Sequence, residues 1–220
     1  MARVWSRGLY PIVDVGALRA RGIVEDGDVL RFTQRLLGAG ALMALQLRGK
    51  GLDVAALVRL GRLLGPWCRA AGVPFVINDR ADVAALVGAD LVHVGQDDLA
   101  PEAIEAAFPM LEVGVSTHTL GELDAALEGA LGYVAMGPIF GTQTKADAAP
   151  TVGLDTLEAA ASRAREAGRP LVAIGGVTLA RAPAVRRAGA YGAAAISDLI
   201  VEADKVTEHA RVLHRALGGE

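Results

Sequence analysis

Eight short apolar runs recur along the chain, and most of them close on a small or polar residue. They are LYPIVD (9–14), MALQLR (43–48), PFVIND (74–79), LVHVG (91–95), EVGVS (112–116), YVAMG (133–137), LVAIG (171–175) and GAAAIS (192–197). Gly, Asp, Asn and Ser at the far ends are turn and helix-cap residues. Between most of the runs lie helical patterns of Ala, Leu, Arg and Glu, such as DVAALVRLGRLLGPWCRAAG and GELDAALEGA. The interval, roughly 20 to 35 residues, is that of a βα unit. Strands that are apolar almost throughout belong in a parallel sheet covered by helices. Eight such units in 220 residues predict one α/β domain over residues 1–220, a (β/α)8 TIM barrel. A doubly wound open sheet fits the alternation as well, but no G-x-G-x-x-G follows the first run.

Apolar residues make up 52% of the chain and aromatics only 4%, with 27 glycines, which suits small-residue helix packing on buried strands. The net charge of -3 comes from 22 basic and 25 acidic residues spread along the chain. Nucleic-acid binding needs a concentrated basic face, so none is expected. The single cysteine, Cys68, excludes an internal disulfide and a Cys-rich zinc site, and its helical setting suits a packed thiol. No signal core or apolar run of about 18 residues is present, so the reading is a soluble, cytoplasmic protein without membrane contact. Homo-oligomerisation is left open.

In a barrel, the C-terminal strand ends and the loops after them build the site. Those ends carry Gln46, Arg48 and Lys50, then Asn78 and Asp79, then Gln96, Asp97 and Asp98. Ser116 and His118 follow, then Thr142, Thr144 and Lys145, then Gly175 and Gly176, and lastly Ser197. Gln46 and Arg48 are two apart in an otherwise apolar strand, so both should point into the barrel. An Arg fork beside a Lys point charge suits a diphosphate. Asp79 and Asp98 end or follow neighbouring strands, and two carboxylates with room for water and phosphate oxygens suit magnesium. Asp97 could replace Asp98, and either could cap the helix starting near Pro101. His93, inside its strand, reads as packed; His209 and His214 read as surface residues of a C-terminal helix. The glycines of IGGVT and the serine of AAAIS form a second, uncharged site of the kind that holds a phosphate on backbone N–H groups.

The motifs LQLRGKG, FVINDRADVAALVGADLVHVGQDDL, GVSTHT, GPIFGTQTKAD, PLVAIGGVT and GAYGAAAIS stand in one order over about 9–199. In that order they resemble the thiamine phosphate synthases. The resemblance implies a transferase of thiamine biosynthesis. It would join hydroxymethylpyrimidine diphosphate to a thiazole phosphate by dissociative loss of magnesium-bound diphosphate. By position, Gln46, Arg48, Lys50, Asn78, Ser116 and Lys145 would bind the pyrimidine diphosphate, with Lys145, Arg48, Lys50 and Ser116 in the catalytic role. Asp79 and Asp98 would hold Mg2+, and Thr142, Thr144, Gly176, Ile196 and Ser197 the thiazole phosphate. Tyr10 would be placed near the pyrimidine or in the core. Two positions depart from the family: Gly49 stands where an acidic residue is usual, and Gly141 where Pro is usual.

Two rivals remain on residues alone. One is the thiazole tautomerase (TenI-like) relative, which uses a His at the position of His118 and binds only the thiazole phosphate. The other is a non-catalytic regulatory protein that binds the thiazole phosphate. Lys50, both aspartates and the TQTK segment favour the synthase.

Overall fold

All eight apolar runs are strands in the structure, a computed structural model that describes residues 3–141 and 150–220. They are β1 (Gly8–Asp14), β2 (Leu45–Arg48), β3 (Phe75–Asn78), β4 (Leu91–Val94), β5 (Glu112–Thr117), β6 (Tyr133–Met136), β7 (Leu171–Ala173) and β8 (Gly192–Ala195). Each pairs in parallel with the next, and β8 returns to β1 through Leu9↔Ala193, so the barrel closes. Closure rules out the open sheet.

Helices cover the outside. Before β2 come α1 (Val15–Arg19) and α2 (Asp26–Leu37); α3 (Val54–Ala70) and α4 (Ala81–Val87) flank β3. Then follow α5 (Pro101–Ala107), α6 (Leu120–Leu127), α7 (Gly153–Glu166) and α8 (Ala182–Arg187), with α9 (Val206–Ala216) last. A 3-10 turn, Ser197–Leu199, lies between β8 and α9. Side-chain caps start α3 and α6, among others. Asp53 accepts from the Ala56 N–H at 2.7 Å, and Thr119 accepts from the Glu122 N–H at 3.1 Å. Among the described residues no helix is long and apolar enough to cross a membrane.

Strand alternation separates two buried layers. Leu45, Leu47, Ile77, Val92 and Val134 face the helices. Tyr10, Ala44, Val76, Leu91, Tyr133, Ala135, Val172 and Ala194 fill the barrel. Because Ala44 points inward, Gln46 and Arg48 do too, at a period of two. Room for the large Tyr133 ring comes from Gly114 beside it on β5: a Cβ there would lie 2.2 Å from the ring. Cys68 is fully buried in α3, and burial pushes its thiol up to about 12, which leaves it inert at neutral pH.

His214 is not a surface residue, as its place on a C-terminal helix had suggested, but is buried against β1. Its Nδ1 accepts the Leu9 N–H at 3.1 Å, a role only the neutral ring can fill. The register of α9 against the barrel decides this, and single-helix periodicity does not carry it. Burial pushes the His214 pKa below its ordinary value of about 6.5. A folded-state pKa below the unfolded one contributes stability that is present above about pH 6.5 and lost as pH falls through the folded value. The melting temperature is therefore expected to fall as pH drops below about 6.5. In His214→Asn, whose amide oxygen can still accept, that part of the acid dependence should be missing; an unchanged profile would contradict this account. His209 is half-buried and bonded by Nε2 to Asp198 Oδ2 at 2.9 Å.

Candidate active site

Those of the expected polar residues that the structure describes follow the C-terminal strand ends, at one mouth of the barrel. Arg48 ends β2 and is buried, and its Nη1 forms an ion pair with Asp14, the last residue of β1, directly opposite in register. Asp14 also accepts from the Ala17 N–H at 2.8 Å, capping α1. One carboxylate thus starts a helix and fixes the direction of a guanidinium, leaving the other Arg48 N–H groups for an anion.

Asn78 ends β3, and Asp79 follows with a left-handed backbone, φ 63°, which Asp and Asn tolerate better than most residues. The turn is held by the Asp79 N–H, which donates to the His93 carbonyl at 2.8 Å. Asp98, in the loop after β4, accepts the Gly95 N–H on Oδ2 at 2.7 Å. The Asp79 and Asp98 carboxyls come within hydrogen-bonding reach of each other. Burial, then the Asp98 charge, push Asp79 up from the ordinary carboxylate range; Lys50 and Arg48, close by, pull it back. Asp98, not Asp97, is the carboxylate that acts on Asp79. Among the described residues no group of three or more His, Cys, Asp or Glu converges.

Beneath the mouth runs a buried polar chain. Gln46 Nε2 donates to the Tyr10 hydroxyl at 2.9 Å, and the Tyr10 and Tyr133 hydroxyls are 2.8 Å apart. Tyr133 reaches His93 Nδ1 at 2.8 Å, and His93 Nε2 lies 2.8 Å from Ser116 Oγ. Burial pushes both phenols well above their ordinary range, so both stay protonated. With Tyr10 accepting from Gln46, one direction satisfies every member: Tyr10 donates to Tyr133, Tyr133 to His93, and His93 to Ser116. The Ser116 proton then remains to be given to something above. Gln96 adds a bond from Nε2 to the Ser116 carbonyl at 2.7 Å. Tyr10 thus lies in the floor of the site, and His93 is packed, as expected, while also orienting Ser116.

His118 is half-buried, with Nδ1 2.5 Å from the Gly137 carbonyl oxygen. A carbonyl only accepts, so Nδ1 is the donor in this contact.

Across the mouth, Gly175 and Gly176 both take left-handed backbones, φ 88° and 66°. A Cβ on Gly176 would lie 2.6 Å from the Gly141 carbonyl oxygen, so both conformation and space call for glycine. The Ile139 N–H donates to Ile174 O at 2.8 Å and the Phe140 N–H to Gly175 O at 3.1 Å, joining the two loops. Ile196 and Ser197 follow β8 alongside. This half is not wholly uncharged. Arg181, exposed, donates to the Gly176 carbonyl at 2.7 Å and stacks 4.7 Å from the Phe140 ring centre. The sequence reading had not singled out Arg181 or Asp14. A signal existed only for Asp14, an acidic strand end beside the inward Arg48. Thr142, Thr144 and Lys145 lie outside the described residues.

The chain is similar to known proteins over nearly its full length. A family model described as "Thiamine monophosphate synthase" matches residues 9–199. A "Thiamine-phosphate synthase" from Chloroflexus aurantiacus is 40% identical over 220 residues, covering 99% of this chain and 95% of the relative. One of the same name from Roseiflexus castenholzii is 40% identical over 197 residues, 89% of this chain and 82% of the relative. Among solved structures, "Thiamine phosphate pyrophosphorylase" from Pyrococcus furiosus superposes with a TM-score of 0.81 at 27% identity, covering 96% and 95% of the two chains.

Proposed function

Because the chain belongs to the thiamine monophosphate synthase family, we propose that its barrel mouth is divided between two phosphorylated substrates, one held through cations and the other through backbone. The enzyme is a transferase that condenses hydroxymethylpyrimidine diphosphate with a thiazole phosphate, giving thiamine phosphate and diphosphate. The observation that carries the division is the meeting of Asp79 and Asp98 beside Lys50 and Arg48. Two carboxylates that push against each other suit a small divalent cation, and hard oxygen donors suit magnesium. Held by Asp79 and Asp98, the ion would keep water and substrate oxygens, as magnesium usually does. Bound there, it would supply charge for the leaving diphosphate.

The chain's own residues do the rest. Arg48, steadied by Asp14, and Lys50 would take the diphosphate oxygens. Gln46 and Ser116, tied together from below through the tyrosines and His93, would align the pyrimidine, with Asn78 at the end of β3 beside them. Loss of diphosphate would leave a pyrimidine methylene cation, which the thiazole nitrogen then captures. Such chemistry asks for alignment and neutralised charge more than for proton transfer. Gly176, Ile196 and Ser197 would hold the thiazole phosphate, with Arg181 at the edge; Thr142, Thr144 and Lys145 are proposed to complete both halves. A buried lone thiol and small charged substrates support a cytoplasmic setting.

Purified protein with magnesium and both substrates is expected to release diphosphate and thiamine phosphate in equal amounts. Thiazole tautomerisation without diphosphate release would point to the tautomerase instead. The relatives named above do not favour that reading.

A further inference from the structure

A cavity of about 610 Å³ opens at the opposite end of the barrel from the site described above. Its lining includes Glu112 at the start of β5, Leu171 at the start of β7 and Tyr191 just before β8, so it lies at the N-terminal strand ends. No residue of the proposed active site borders it. Four guanidinium groups, from Arg3, Arg7, Arg165 and Arg169, face a single lining carboxylate, Glu112. In a chain whose net charge is -3, this is a local concentration of positive charge.

The arginines are not all used up by the fold. Arg3 pairs with Glu112 at 3.0 Å and Asp90 at 3.3 Å, a clamp with an evident structural role. Arg7, Arg165 and Arg169 form no ion pair among the described residues. Two rings complete the wall. Arg7 stacks 4.6 Å over Tyr191, whose hydroxyl donates to the Trp5 carbonyl at 2.6 Å. Trp5 in turn packs edge-on to Tyr133, 5.6 Å between centres, so both rings are held in place.

We propose that this cavity binds a phosphorylated ligand carrying a planar base, of the nucleoside diphosphate class. Guanidinium forks match phosphate oxygens, while Trp, Tyr and an Arg plane accept a stacked base. The volume lies within the range of small-molecule sites, about 300–1,000 Å³.

Trp5 offers a local probe. The chain has two tryptophans, and Trp67 is exposed on α3 outside the cavity, so Trp67→Phe leaves Trp5 as the sole emitter. In that background, ADP added without magnesium is expected to change Trp5 emission saturably. The double variant Arg7→Gln/Arg165→Gln should bind roughly tenfold or more weakly. It should melt normally, because both side chains are exposed. Lys50→Ala should leave the Trp5 signal as it is. The proposal is overturned by an absent or non-saturable change, or by equal affinity in the arginine variant. It is equally overturned by loss of the signal in Lys50→Ala, which would place ADP in the other site. Inorganic diphosphate binding as tightly as ADP would refute the part given to the rings.

Discussion

Asp79→Asn is expected to lower kcat by about 10²- to 10³-fold or more while the barrel remains folded. The amide keeps the size and one oxygen of the carboxyl, and the left-handed backbone at φ 63° is one Asn accepts readily. What goes is the negative charge opposite Asp98. As a proposed magnesium ligand, Asp79 needs that charge; as a part of the fold it is opposed by it. Burial and the Asp98 carboxylate push Asp79 up, so ionising it costs the metal-free protein stability. A raised folded pKa gives stability that is full below the unfolded value and lost as pH rises through the folded one.

Two melting curves follow from that sign. In chelator, wild-type protein should lose stability as pH climbs through the carboxylate range, and Asp79→Asn should lose less, melting no lower at neutral pH. Magnesium should then raise the wild-type melting temperature by mass action and leave the variant almost unmoved. Full activity in the variant would sink the metal assignment. A collapse of its melting temperature in chelator would show that the carboxylate serves the fold.

The barrel was readable because its strands are nearly pure apolar runs at even spacing, a pattern that few alternatives satisfy. Gln46 and Arg48 were readable as inward because period two leaves no other face once Leu45 and Leu47 pack outward. The two aspartates were readable as neighbours because β3 and β4 are neighbours. What escaped depends on distance across the barrel, which no local period records. Tyr133 and Tyr10 are separated by 123 residues, yet their hydroxyls meet at 2.8 Å. His93 could be read as packed but not as the group that orients Ser116. His214 was misjudged for the same reason: its partner, the Leu9 N–H, lies 205 residues away. Arg181 was missed because an exposed arginine at a helix start carries no pattern at all.

Lys50→Ala is expected to lower kcat/KM for the pyrimidine diphosphate by about 10²-fold, since a charge-assisted bond to the leaving group contributes roughly 1.5–3 kcal/mol. Thiazole phosphate affinity, measured by calorimetry without the pyrimidine substrate, should stay within about twofold. Lys50 lies beside Asp79 on the β2–β4 side, whereas Gly176 and Ser197 follow β7 and β8. The reciprocal variant is Gly176→Ala. Its methyl group would lie 2.6 Å from the Gly141 carbonyl oxygen and 3.1 Å from the Arg181 guanidinium, in a backbone conformation alanine resists. Thiazole phosphate affinity should therefore fall by about tenfold or more, while diphosphate binding in magnesium is retained. Opposite losses in the two variants mean two anion sites that share one mouth. If Lys50→Ala weakens both ligands alike, the mouth is one continuous field of charge, and the division proposed for it is wrong.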